Sequence, residues 1–323
     1  MYTVTGEFIE VEKPKIIENY KEVTEINNHE TYKNFKKSGI IHKIINKKIK
    51  NKLYDGISAL EITEFIENEI KNYTKYNENN PLKAGIGFPV GININNVAAH
   101  FTPSKEHNPI ISKDDVVKID YGVHVNGCIS DGAFSWCPSN KYNDLIKIAE
   151  DATNTGIKNA GVDAILGQIG YAIQEVIEGS EIEVDGKTIS VKSIYDLCGH
   201  QIKPFIIHAG KLVPNIGLPY MERMKENEIY AIETFPTTGN GAVYNDIECN
   251  HFMIKNTYTG KGNTKKIYDI RSTLPFCPRW FNFPIPDNEY IKKFPVIKTT
   301  DGGIVAQYEK TMFIKENYVD VIN

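Results

Sequence analysis

The chain has 323 residues, enough for one to three domains, with 41% hydrophobic and 24% charged residues and a formal net charge of −4. That mildly acidic balance gives no support to nucleic acid as a main partner, and no apolar run approaches the roughly eighteen residues of a membrane span. Five cysteines without a CxxC pair are expected as reduced thiols, and the start of the chain has neither a signal nor a transit pattern, so a cytoplasmic location is expected.

Residues 1 to 28 are polar with scattered apolar positions and are expected to form a partly ordered arm. From His29 the spacing turns helical, with Tyr32, Phe35, Ile40, Ile41, Ile44 and Ile45 recurring at intervals near three and four. The basic run Lys47, Lys48, Lys50 and Lys52 reads as a solvated helix face in preference to an RNA or ribosome contact. Gly56 breaks the pattern. Ser58 then caps a second helix through ALEITEFIENEI, with Glu61 at the offset of a capping box. A polar loop over 72–81 leads into AGIGFPVGININNVAAHFTPS, whose glycines, prolines and asparagines predict short strands joined by tight turns. His100 closes this piece.

The stretch from Val116 to Trp136, VVKIDYGVHVNGCISDGAFSW, places two β-prone runs around Asn126-Gly127, the strongest short-range signal for a two-residue type I′ hairpin turn. With those two residues at the turn, Val125 pairs with Cys128, Asp120 with Ala133 and Asp131 with Gly122. Asp120 and Asp131 then project from one face as diagonal neighbours, roughly 7–8 Å apart at the backbone. Like charges that close in strands suited to burial need a cation or a shared proton. An exposed hairpin with two solvated aspartates is the alternative.

Beyond the hairpin, Tyr142 to Ala160 and Leu166 to Glu178 carry apolar residues at helical intervals, with Gly161 and Gly179 as stops. EIEVDGKTISV, residues 181–191, reads as a second short hairpin turning at Asp185-Gly186. CGHQIKPFIIHAG holds His200 and His208 among glycines, which indicates close backbone approach or an unusual turn. Two further strands each carry a glutamate. Glu233 shares a face with Ala231 and Phe235, and Glu309 with Val305, Gln307 and Thr311; buried, each needs a partner. Between them, 255–294 is the least regular part, with the proline cluster LPFCPRWFNFPIPDN, and reads as a small insert or a long functional loop. No repeat or linker forces a boundary, so 29–323 is expected to be a single catalytic domain.

Two aspartates on one hairpin, two glutamates on separate strands and histidines in glycine-rich contexts make a hard, oxygen-rich ligand set. Such a set suits two divalent ions bridged by carboxylates and a water, which is hydrolytic chemistry. Spacing alone ties together only Asp120 and Asp131.

In this order KIDYGVHVNGCISDGAF, GHQI with IIHAG, YAIETF and AQYE, accompanied by NNVAAHFTP and DATNTGIKNAGVD, resemble the signatures of type 2 methionine aminopeptidases. The resemblance covers roughly residues 30–255 and 302–315. It implies an α+β architecture, the pita-bread fold, with an antiparallel sheet and helices on its outer face. The family's five metal ligands fall on Asp120, Asp131, His200, Glu233 and Glu309, for two divalent ions of manganese, iron, cobalt or zinc. The implied reaction removes the initiator methionine from nascent or newly made chains with a small second residue. In it, a hydroxide held between the two ions attacks the first peptide carbonyl, Glu233 shuttles the proton, and His208 steadies the tetrahedral intermediate. His100 matches the histidine that fumagillin-type inhibitors alkylate. Phe88, Ile207 and His251 match the wall of the methionine pocket; for Phe88 and Ile207, plain core packing is the other reading.

Type 2 rather than type 1 rests on the wording of the blocks and on the interval of 76 positions from Glu233 to Glu309, which leaves room for an insert. That insert, at about 255–294, reads as shorter than the helical subdomain usual for type 2. The charged N-terminal extension usual in the family is not in this sequence, so ribosome association would not run through such a tail. A monomer is expected, with no membrane and no specific nucleic-acid partner.

Overall fold

Asn126 and Gly127 both adopt left-handed backbone, with φ of 49° and 75°, as a type I′ turn requires. Val117–Val125 and Cys128–Trp136 therefore pair in the expected register: Val125 with Cys128, Asp120 with Ala133 and Gly122 with Asp131. The structure, a computed structural model, describes residues 28–323, so the N-terminal arm lies outside the described residues. An Asn126→Val substitution puts a β-branched side chain at positive φ and is expected to cost about 1–2 kcal/mol, read as a lowered denaturation midpoint.

Along this hairpin the alternation of side chains separates two environments. Ile119, Tyr121 and Val123 point outward and are wholly buried against the helices Asn28–Lys50 and Ala59–Thr74 through Ile45, Ile49, Ile62 and Ile66. Each such side chain contributes about 1.5–3 kcal/mol. Asp120 belongs to the opposite row. The strands Ala84–Ile86 and Gly91–Ile94 pair along the free edge of Val117–Val125 and complete a four-stranded antiparallel sheet.

A second, five-stranded antiparallel sheet repeats this logic. Its order is Leu212–Pro214, Cys198–Ile202, Ile229–Thr234, Tyr308–Ile314 and Val319–Val321. Tyr230, Ile232, Met312 and Ile314 pack outward on the helices Asn143–Lys158 and Leu166–Glu178, while Ala231 and Phe313 turn to the inner side with Ile129, Ile202 and Ile207. The sheets meet where hydroxyls replace a ladder. Thr311 Oγ1 accepts from the Asp131 amide at 2.8 Å and donates to the Asp131 carbonyl at 2.7 Å. Ser135 Oγ accepts from the Gln307 amide at 2.8 Å and donates to its carbonyl at 2.9 Å.

Two local expectations need correction. Ser58 does cap its helix, accepting from the Glu61 amide at 3.1 Å, but the Glu61 carboxylate turns to Lys52 at 2.8 Å instead of back to the cap. An ammonium is the stronger partner for it. The segment 255–294 is also more regular than its prolines indicate: Gly262–Arg271 is a helix that buries Thr264, Ile267 and Arg271. With one isoleucine on that stripe, the apolar period is too sparse to read. Arg271 donates to the carbonyls of Ile86, Gly87 and Pro275, and Arg279 grips Glu67 with two bonds of 3.0 and 2.6 Å. The segment is packed on the main body. The 181–191 hairpin forms as expected, with Val184 opposite Lys187. Among the described residues, no helix is long and apolar enough to cross a membrane.

Candidate metal centre

The inner faces of the two sheets enclose a cavity of about 380 Å³. Its floor is built from ladder geometry. Glu233 and Glu309 are direct cross-strand partners, and His200 is paired with Ala231, two residues from Glu233 on the same face. His200 Nε2 points at the acids, 3.6 Å from Asp131 Oδ2 and 3.7 Å from Glu233 Oε1. Ligand atoms of Asp131, His200 and Glu309 lie within 4.8 Å of one another. Asp120 enters from the facing sheet, and Gln307 Nε2 ties it to Glu233, at 3.4 Å from Asp120 Oδ2 and 3.3 Å from Glu233 Oε2.

Four carboxylates thus converge without a protein cation: among the described residues no lysine or arginine pairs with any of them. Burial pushes the Asp120 carboxyl up to about 7. Asp131 is held well above the usual carboxylate range by burial and then by the charge of Asp120. Glu233 and Glu309 are raised the same way, by burial first and by their acidic neighbours second. His200 is held down to about 4 by burial and stays a neutral imidazole. Asp120 Oδ1 is buried with no hydrogen-bond partner. A neutral imidazole nitrogen, four clustered carboxylates and an orphaned carboxylate oxygen form a donor set that fits divalent metal, whose charge offsets the repulsion.

Above the floor the walls are aromatic and imidazole. The His208 ring stands edge-on to His200, 4.4 Å between centroids. His100 and His251 lie 5.8 Å apart, and Phe294 is 5.5 Å from His100 and 6.0 Å from His208. His100 adopts a φ of 68°, a strained backbone for a non-glycine residue. Its Nδ1 lies 3.2 Å from the Pro295 carbonyl, an atom that only accepts, so Nδ1 carries the proton and Nε2 keeps its lone pair. Burial lowers His100 to about 4 and His208 and His251 well below the imidazole range.

All ten residues singled out from the sequence border this one cavity: Asp120, Asp131, His200, Glu233 and Glu309 at the floor, with Phe88, His100, Ile207, His208 and His251 on the walls. Ile207 is at once core and wall, buried among Ile129, Ile202 and Ala231. Sequence reasoning misses Gln307 as a tie between the acids, although it stands on the Glu309 face. The family resemblance implies a pocket wall near Pro275 to Phe294, and Pro275, Lys292 and Phe294 do line the cavity, although no sequence period marks which side chains of that segment do so. Asn323 escapes sequence reasoning too: this side chain donates to the Asp131 carbonyl and accepts from the Thr311 amide at 2.8 Å.

Residues 33–316 match the model of metallopeptidase family M24. The methionine aminopeptidase 2 of Clavispora lusitaniae is 39% identical over 316 residues, covering 92% of this chain and 72% of that protein. The protein of the same name from Dictyostelium discoideum is 39% identical over 309 residues, covering 90% and 70%. Among solved structures, the methionine aminopeptidase of Thermotoga maritima superposes with a TM-score of 0.63 at 18% identity, over 90% of this chain and 95% of that one. A thermophilic Arx1 superposes at 0.72 with 14% identity, over 91% of each. The α+β architecture, with its antiparallel sheets backed by helices, is the pita-bread fold, and the acid-lined centre fits a divalent-metal hydrolase. The chain belongs to metallopeptidase family M24, among the type 2 methionine aminopeptidases.

Proposed function

We propose that this chain removes the N-terminal methionine from new polypeptides whose second residue is small, by metal-dependent hydrolysis. Membership of the metallopeptidase family carries the use of divalent metal. The observation that supports the reading most is the convergence of four carboxylates, Asp131 and Glu309 buried and Asp120 and Glu233 half-buried, with the His200 Nε2 beneath a cavity walled by aromatic and imidazole rings. Asp120, Asp131, His200, Glu233 and Glu309 would hold two ions. Manganese, iron, cobalt and zinc all accept such donors. Bound there, metal supplies an acidified water and a polarised peptide carbonyl.

The chain's own groups do the rest. Glu233 accepts the proton and returns it to the leaving amine. His208, edge-on to His200, donates to the scissile amide region as charge builds. Phe88, Ile207 and His251 enclose the methionine side chain, where each methylene is worth roughly 1–3 kcal/mol. The unprotonated Nε2 of His100 is the atom a spiroepoxide inhibitor would alkylate. Residues 29–323 act as one catalytic domain, monomeric and cytoplasmic. The five free cysteines agree with a reducing compartment. Contact with the ribosome, where nascent N-termini emerge, belongs to the same reading.

Purified protein with added manganese or cobalt is expected to release methionine from Met-Gly and Met-Ala peptides. A chelator should stop the release. Hydrolysis of Xaa-Pro peptides with none of Met-Ala would transfer the chain to a different substrate class of the same fold.

A further inference from the structure

The centre is acidic and the histidines around it are neutral, so one charge on the cavity wall is unlike the others. Lys292 is the sole lysine or arginine among the lining residues. It sits on the strand Ile291–Phe294, exposed, with its ammonium 4.7 Å over the ring of Phe294. The adjacent Lys293 is paired with Asp287 at 2.9 Å; Lys292 has no carboxylate partner among the described residues. It is held by an aromatic face and left with its donors open.

The location relative to the chemistry follows from the rings. Phe294 is 5.5 Å from His100 and 6.0 Å from His208, and the ammonium of Lys292 is 4.7 Å from the Phe294 ring. The ammonium is therefore at most about 11 Å from either imidazole, which an extended peptide covers in about three residues. A substrate whose first residue is enclosed by the cavity must leave past this rim. Asp196, the other charged residue of the rim, is on the turn before the Cys198–Ile202 strand and repels the same group that Lys292 attracts.

We propose that Lys292 is a specificity-determining residue, which recognises a carboxylate carried by the third or fourth residue of the substrate chain. The proposal rests on the aminopeptidase reading and adds to it a preference along the departing polypeptide. A side-chain carboxylate and the carboxyl terminus of a very short peptide share this chemistry, and amidated peptides separate them.

The test compares kcat/KM for amidated Met-Ala-Gln-Gln-Gly peptides with glutamate in place of glutamine at position three or four. In the wild type the glutamate to glutamine ratio is expected to exceed that of Lys292→Ala by about threefold, the scale of an exposed ion pair. Lys292→Glu should invert it, and added salt should bring the wild type toward the alanine variant. Because the ratio is internal to each enzyme, a general loss of activity does not move it. If Lys292→Ala fails to fold, Lys292→Gln keeps the stem of the side chain and reads the same ratio. A ratio equal in wild type and variant at both positions overturns the proposal. A Lys292-dependent gain confined to unamidated tripeptides assigns the contact to the chain terminus and overturns side-chain recognition. Failure of the wild type to release methionine even from the glutamine peptide overturns the aminopeptidase reading, and this proposal with it.

Discussion

Replacing Asp131 with asparagine is expected to reduce methionine release by more than about a hundredfold, since losing a partner of a ligand already costs about 10–100-fold and Asp131 stands at the centre of the ligand set. Asp131 is buried, within reach of the His200 Nε2 and directly tied to the Glu309 strand through Thr311. The same change should stabilise the protein without metal. Its carboxyl is raised well above the ordinary 3.8 by burial and by Asp120, so its ionised form opposes folding. The sign is that of a raised acid: the opposition is complete above the folded value, fades as pH falls, and is gone below about 3.8. A carboxamide cannot ionise, so the advantage of Asp131→Asn in Tm should be largest at neutral pH and shrink toward pH 4. Each kcal/mol relieved is worth about 2 °C in a protein of this size. Calorimetry of both proteins in chelator, across that range, measures the effect. Taking the difference between them cancels the histidines that titrate in the same window. A lower Tm for the variant at pH 7.5 without metal would remove the electrostatic account of the centre, whatever the activity.

The second large effect is expected from Gly199→Ala. Gly199 precedes His200 in the strand Cys198–Ile202, and a Cβ built there lies against the Ala231 carbonyl, 3.3 Å from the Glu233 amide. Both are backbone atoms of the neighbouring strand and cannot swing away. The His200 strand must shift off the Glu233 strand, at a cost of about 1–3 kcal/mol. Since His200 and Glu233 belong to one donor set, metal affinity should fall about 10–100-fold, as read by calorimetric titration with manganese. Gly161, where an added Cβ meets nothing within 4 Å, is the control, and Gly161→Ala should leave affinity and Tm near the wild type. Equal affinity in Gly199→Ala and wild type would show that the spacing of these strands does not set the site.

Much of the chain was legible because its signals are local. Asn126-Gly127 requires two positive φ values, which sets the turn. The turn sets the register, and the register puts Asp120 and Asp131 on one face. The helices Asn143–Lys158 and Leu166–Glu178 follow from apolar periods with stops nearby. Family resemblance then named the other two acids and the imidazole, which no period or spacing could join to the hairpin.

What tertiary structure alone decided is where distant segments meet. Glu233 opposes Glu309 through a ladder between strands 76 residues apart, and ladder hydrogen bonds are made by backbone that looks alike in every strand. The binding of Gln307 to two acids and the support of Asp131 by Thr311 and Asn323 depend on which strands face across the cavity. The proline-rich segment carries Pro275, Lys292 and Phe294 to the rim, and its placement comes from Arg271 and Arg279 gripping the main body. Sequence by itself determined the hairpin, its acidic face and the family. The long-range pairing of strands decided that those acids share one buried space, because only there does their mutual repulsion become large enough to call for metal.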